Sequence, residues 1–81
     1  MTAAQRRVLE HIKRPRHLSY GGENHWYFNG ENFKIHANTG FSLLGGGWIK
    51  ALPRLKEQPF WRTDYDITDK GREALRAPRP R

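Results

Sequence analysis

The sequence predicts a small α+β domain in which short helices alternate with pairs of strands. Three observations lead to this fold class: apolar residues at helical spacing near the N-terminus, an Asn29-Gly30 dipeptide between two strand-like segments, and alternating apolar and polar residues at 60–67. The chain has 81 residues and no cysteine, so it is expected to fold as one domain without disulfides. We assign this domain to residues 1–76 and predict that 77–81 is a disordered basic tail.

The first predicted helix runs from Thr2 to about Arg14. Thr2 and Gln5 have the spacing of a capping box, in which each side chain bonds to the backbone of the other residue. Pro15 is expected to end this helix, because the residue before a proline is disfavoured in the α conformation. Residues 16–24 are then predicted to form a loop. One face of the helix is apolar and consists of Ala4, Val8, Leu9 and Ile12.

Residues 25–28 and 31–35 are predicted to form a β-hairpin around Asn29-Gly30. This dipeptide tolerates the positive φ angles that a two-residue type I′ turn requires. In that register the apolar side chains share one face, which should pack on the core: Trp26, Phe28, Phe33 and Ile35. The opposite face carries His25, Tyr27, Asn32 and Lys34.

A short second helix is predicted to begin with Asn38 or Thr39 as its N-cap and to end at Gly45-Gly46-Gly47. A strand at 48–52, a proline-bracketed loop at 53–59 and a strand at 60–67 should follow. Thr68 or Asp69 is expected to cap a last helix that ends near Arg76. Because the chain has few aliphatic residues, most of its aromatic residues are expected in the core, including Trp48, Trp61 and Tyr65.

The charge of the chain favours a polyanionic partner. Its formal net charge is +7, from 15 Lys+Arg and 8 Asp+Glu, and basic side chains raise affinity for phosphate backbones. The positive charge is concentrated in residues 1–17 and 41–62, and the tail adds Arg79 and Arg81, which could enter a minor groove. The alternative for each set is an ordinary solvated surface.

Three segments, in order along the chain, carry a family resemblance. Tyr-Asp-Ile-Thr-Asp-Lys-Gly-Arg-Glu-Ala-Leu at 65–75 closely resembles the end of the wing in winged helix-turn-helix proteins of the MarR and PadR type. Residues 4–12 are similar to the first helix of these proteins. Residues 39–49 are similar to their recognition helix and the start of the wing. The resemblance implies a small winged-helix domain, here with an additional β-hairpin at the place of the first helix of the helix-turn-helix.

The same resemblance implies contacts to double-stranded DNA from the recognition helix and the wing. The matching recognition helix has two glycines and no charged residue, which leaves only short polar side chains to reach base edges. Together with the basic residues, these form the predicted DNA-binding set: Arg6, Arg7, Arg14, Lys34, Asn38, Thr39, Ser42, Lys50, Arg54, Lys56 and Arg62.

The expected function is therefore DNA binding in transcriptional regulation by a small basic protein of phage or mobile-element type. The alternative is a protein-binding winged-helix module that acts as an inhibitor or anti-defence factor against a host protein, and RNA binding is a third possibility. Homodimer formation is a further possibility, since winged-helix regulators commonly dimerise.

Other classes of function find little support in the sequence. There is no cysteine, Ser19 and Ser42 are the only serines, and the glycines at 45–47 are not followed by the Lys-Ser/Thr of a P-loop. The four histidines lack ligand spacing, and Asp64, Asp66 and Asp69 lack the glycine and glutamate of a calcium loop. We therefore expect no enzyme activity, metal or cofactor. Without an apolar run of about 20 residues or a signal peptide, a cytoplasmic protein with no membrane partner is expected.

Overall fold

The computed structural model describes residues 1–12 and 17–76, which form three helices and one four-stranded antiparallel sheet. The helices are α1 (Ala3–His11), α2 (Ala37–Gly45) and α3 (Asp69–Arg76). The strands are β1 (Leu18–Tyr20), β2 (Trp26–Phe28), β3 (Ile49–Ala51) and β4 (Thr63–Ile67), arranged in the order β2-β1-β4-β3. The predicted α+β class is confirmed.

Helix α1 begins with the predicted capping box. The Gln5 amide donates to Thr2 Oγ1 at 3.1 Å, and the Thr2 amide donates to Gln5 Oε1 at 2.7 Å. The helix ends at His11, because Ile12 already has an extended backbone. It is thus shorter than the predicted helix, and Arg14 and Pro15 lie outside the described residues.

The hairpin lies earlier in the chain than predicted. The expected loop contains strand β1, which pairs with β2 in a register that places Ser19 opposite Tyr27. The two strands are joined by a turn in which the Gly21 amide donates to the His25 carbonyl at 2.9 Å. Glu23 and Asn24 take positive φ angles of 53° and 63° in this turn. The prediction of a loop at 16–24 was wrong because β1 is only three residues long, too short to show strand alternation.

Asn29-Gly30 forms a turn but not the predicted type I′ hairpin. The Glu31 amide donates to the Phe28 carbonyl at 3.0 Å, and only Gly30 of the dipeptide has a positive φ, 76°. Residues 31–36 are not paired as a strand. Phe33 and Ile35 nevertheless pack half-buried against the core. The apolar pattern therefore identified the core contacts of Phe33 and Ile35 correctly. These side chains pack on the core although residues 31–36 form no strand.

Helix α2 begins after His36 rather than at Asn38 or Thr39, and its first turn has no side-chain cap. The His36 carbonyl instead accepts from the Thr39 and Gly40 amides at 3.0 and 3.2 Å. The predicted glycine end is confirmed, with Gly47 at a φ of 77°. Directly beside this glycine end, Thr68 donates its hydroxyl to the Gly47 carbonyl at 2.7 Å and caps α3 by accepting from the Gly71 amide at 3.1 Å.

The core lies between the helices and one face of the sheet. Trp61, which was expected in the core, is 53% exposed, because β4 begins only at Thr63 and the alternation does not extend back to it. Trp48 and Tyr65 are half-buried, and burial, followed by the nearby Tyr20, raises the pKa of Tyr65 above its ordinary value. The fully buried apolar residues are Val8, Leu9, Ile12, Leu18, Trp26, Phe28, Leu43, Ile49 and Ile67.

Candidate nucleic-acid interface

The loop between β3 and β4, residues 52–62, presents an exposed apolar tip. Phe60 is 91% exposed, Leu55 is 67% exposed and Trp61 is 53% exposed. The Arg62 amide donates to the Pro59 carbonyl at 3.1 Å, which closes a turn with Phe60 and Trp61 at its two central positions. We call Leu55, Phe60 and Trp61 the loop tip.

Arg54 braces this turn. Its Nη1 donates to the Arg62 carbonyl at 2.8 Å, and its Nη2 donates to the Pro59 carbonyl. Gln58 adds a second bond to the Arg62 carbonyl, from Nε2 at 2.6 Å. The planar guanidinium thus spans both ends of the turn that carries the two aromatic side chains. Sequence analysis placed Arg54 in the DNA-binding set and missed this bracing role, because nothing in the sequence shows which carbonyls lie within reach.

The other basic residues predicted for this region differ in their contacts. Lys50 and Lys56 are exposed, and neither makes a hydrogen bond or ion pair with residues 1–12 or 17–76. Arg62 lies with its Nε 3.3 Å from Asp64 Oδ1, and that carboxylate also accepts from Ser19 Oγ at 2.7 Å. Among the described residues, the two lysines are therefore the basic side chains of this region without a hydrogen bond or ion pair, and Lys50 lies opposite Asp66 in the β3–β4 register.

The N-terminal arginines of the predicted set also make contacts within the fold. Arg6 joins α1 to the end of α3, donating to the carbonyls of Ala74 at 3.2 Å and Leu75 at 2.7 Å. These carbonyls belong to the last turn of α3, where no helical partner is available. Arg7 is exposed and lies 4.2 Å from the centroid of the Phe33 ring, in a cation–π contact. Arg14 lies outside the described residues, and Lys34 is exposed.

Helix α2 presents an uncharged outer surface. Asn38 is exposed and Thr39 is half-buried. Ser42 Oγ accepts from Gln5 Nε2 at 2.8 Å and donates to the Thr39 carbonyl at 2.9 Å, so it is engaged between α1 and α2. Phe41 and Leu44, one helical turn apart, are 42% and 38% exposed. The helix thus presents apolar side chains beside a single free amide group.

The charge of the described residues is nearly balanced. They contain 10 of the 15 basic residues and all 8 acidic residues, so they account for only +2 of the net +7. The other five basic residues, Lys13, Arg14, Arg16, Arg79 and Arg81, lie in the two segments outside the description. Most of the positive excess therefore belongs to residues 13–16 and 79–81.

Other types of site have no structural support in the described residues. Within 1–12 and 17–76, no three His, Cys, Asp or Glu side chains are grouped as metal ligands would be. In the same part of the chain, no helix has the length and apolar character to cross a membrane. An open groove of about 790 Å³ lies along residues 25–36, lined by aromatic, amide and charged side chains of mixed sign.

Comparisons with protein-family models, with curated proteins and with solved structures gave no significant match to this chain. The function is therefore argued from the chemistry of the exposed surfaces.

Proposed function

We propose that this protein is a winged-helix DNA-binding protein that holds duplex DNA mainly through the β3–β4 loop. The order of elements supports the proposal: α1 corresponds to the first helix, α2 to the recognition helix, and β3 and β4 with their loop to the wing. Strand β2 takes the place of the first helix of the helix-turn-helix. In this interpretation the loop tip and its neighbouring lysines face the DNA.

The observation that carries the proposal is the pairing of available charge with a braced, exposed loop. Lys50 and Lys56 are exposed and lack protein partners among the described residues, so their ammonium groups can displace counterions from phosphates. The turn beside them is held by Arg54, which reduces the entropy lost when the loop is ordered on a ligand.

The same surfaces favour binding that depends little on base sequence. Phosphate contacts position a protein on the duplex, and base-edge contacts specify the sequence. Helix α2 has no charged side chain, and Ser42 is already engaged by Gln5 and Thr39. We therefore expect affinities for unrelated duplexes to differ little.

Fluorescence anisotropy with labelled random duplexes tests the proposal. We expect the wild-type affinity to fall steeply between about 50 and 200 mM NaCl, with a log–log slope of about −0.9 for each phosphate neutralised. The double variant Lys50→Ala/Lys56→Ala should bind every duplex more weakly and should show a shallower slope.

A charge-matched control is Arg72→Ala/Arg76→Ala, which removes two cations from α3 that pair with Asp69 and Glu73 on the same helix. This control should keep a slope close to that of the wild type. A wild-type protein that binds no duplex at the lower salt concentration would contradict the proposal. If both double variants lost affinity and salt dependence equally, the assignment of DNA binding to the loop would be wrong.

A second candidate function, binding to a host protein, is favoured by the exposed Phe41 and Leu44 on the uncharged helix α2. Apolar side chains at the centre of an interface commonly contribute most of its binding energy. If this function is correct, the wild-type protein should capture a partner from nuclease-treated host lysate, and Phe41→Ala/Leu44→Ala should lose it. Loss of every partner after nuclease treatment would count against this candidate.

A further inference from the structure

We infer that Phe60 is an apolar wedge that enters the minor groove of duplex DNA, partly unstacks one base step and bends the duplex. The inference rests on the proposed function, and it adds a mode of binding and a DNA deformation to it. Under this inference the loop tip deforms the DNA, which the basic side chains cannot do by contacting phosphates alone.

The exposure of Phe60 is the first support. At 91% exposed, its phenyl ring contributes almost nothing to the core, and it is more exposed than any other large apolar side chain in the described ranges. Leu55, on the same loop, is also mostly exposed. Phenylalanine and leucine are among the side chains that architectural DNA-binding proteins insert between base steps.

The surroundings of Trp61 explain why Phe60, and not its neighbour, is the inserting group. A Cβ atom built on Gly21 would lie 3.6 Å from Trp61 Cζ3 and 3.2 Å from Tyr27 Cε1. The Trp61 ring therefore lies against the β1–β2 turn, close to Tyr27. Through this contact, the turn at 59–62 is held against the β1–β2 turn. Phe60 is then the aromatic side chain that projects from the turn at 59–62.

The bracing by Arg54 is the second support. A flexible loop could fold an exposed phenyl ring back onto the protein, whereas this turn is held at the Pro59 and Arg62 carbonyls. A side chain that enters a base step has to separate two stacked base pairs. The backbone that carries this side chain should therefore be ordered before binding. Pro53 and Pro59 restrict the backbone of the loop further.

The charges beside the tip favour DNA as the occupant. The loop has Lys56 exposed near its tip, Lys50 lies on the adjoining strand, and Glu57 is the one acidic residue at 52–62. An exposed apolar side chain on a loop with more basic than acidic residues matches a narrow groove bordered by phosphates. Because pyrimidine–purine steps unstack most easily, the wedge should bend a duplex most readily at a central TA step.

The test is energy transfer between dyes at the two ends of a duplex of about 20–30 bp with a central TA step. Anisotropy on the same samples measures affinity. The wild-type protein should bend the duplex by about 20–90°. Phe60→Ala should still bind with the wild-type salt slope and lose most of the bend, and Phe60→Leu should retain it. Arg72→Ala/Arg76→Ala, on the helix at the end of β4 opposite to the loop, is the control and should bend the DNA normally.

The possible failures are distinguishable. A wild-type protein that binds the duplex without bending it, or a Phe60→Ala variant that bends it fully, overturns the wedge and leaves the proposed function standing. A wild-type protein that does not bind the duplex overturns both. Sedimentation with phosphatidylcholine/phosphatidylserine vesicles completes the test. Vesicle binding that depends on Phe60, without any DNA bend, assigns the tip to lipid and overturns the wedge.

Discussion

Among single residues, Arg54 and Arg6 have the most specific contacts. Each adds to the positive charge of the chain, and each guanidinium donates to two backbone carbonyls of the fold. Arg6 satisfies the end of α3, and Arg54 closes the turn at Pro59 and Arg62. Net charge therefore overstates the number of cations available to a polyanion.

The bracing role of Arg54 predicts that lysine cannot replace it. An ammonium group keeps the charge but lacks the planar fork that reaches both carbonyls. We expect both Arg54→Lys and Arg54→Ala to speed hydrogen exchange at the Gln58 and Arg62 amides, which bond to the Leu55 and Pro59 carbonyls, while α3 keeps its protection. Wild-type protection of the loop in Arg54→Lys would show that charge alone is sufficient.

At the scale of elements, the contact between α2 and β2 depends on a glycine. Gly40 is buried, and a Cβ atom there would overlap the indole ring of Trp26. Trp26 is 2% exposed, so it has little room to move aside. The close approach of helix and strand therefore excludes any larger residue at this position.

Two substitutions in α2 test this packing. Gly40→Ala should lower the free energy of unfolding by about 1–3 kcal/mol through overpacking. Gly45→Ala, in the same helix with open space around its Cβ position, should raise it by up to about 1 kcal/mol through helix propensity. Urea denaturation of both variants measures the difference. A Gly40→Ala variant as stable as the wild type would mean that Trp26 does not pack on this helix.

The same scale shows what the sequence can predict. Local signals predicted the capping box at Thr2, the glycine end of α2, the cap at Thr68 and the strand before it, because each depends on neighbouring residues. The partner of β2 was not predictable in this way, since β1 is three residues long and its pairing with β4 joins residues far apart in the chain. The prediction that Trp61 lies in the core was wrong for a related reason. Alternation of apolar and polar residues does not reveal at which residue a strand begins.

Residues of the candidate site were predictable by type but not by contact. The sequence placed Lys50 and Lys56 among the basic residues of the predicted wing; both side chains are exposed, and their role in DNA binding stays a prediction. It gave no sign that Arg54 and Arg62 hold carbonyl and carboxylate partners, which depends on distances across the loop. Phe60 was assigned to the predicted strand at 60–67 with no prediction of its exposure, whereas β4 begins only at Thr63 and Phe60 is exposed on the loop.

For the whole molecule, charge and apolar exposure are distributed unevenly. The described residues carry a net charge of +2, and the other five positive charges belong to residues 13–16 and 79–81. The β3–β4 loop combines available cations with the most exposed aromatic side chain, whereas α2 exposes apolar groups without charge. Duplex binding through the loop should leave α2 and α3 largely free.

The most direct measurement of duplex binding through the loop is a titration of ¹⁵N-labelled protein with a random duplex, followed by NMR. We expect the largest chemical-shift changes at the amides of the non-proline residues within 50–62, with small changes at α3, and we expect the same pattern with an unrelated duplex. No shift changes at low salt, or changes confined to α2, would contradict the proposal that this loop holds DNA.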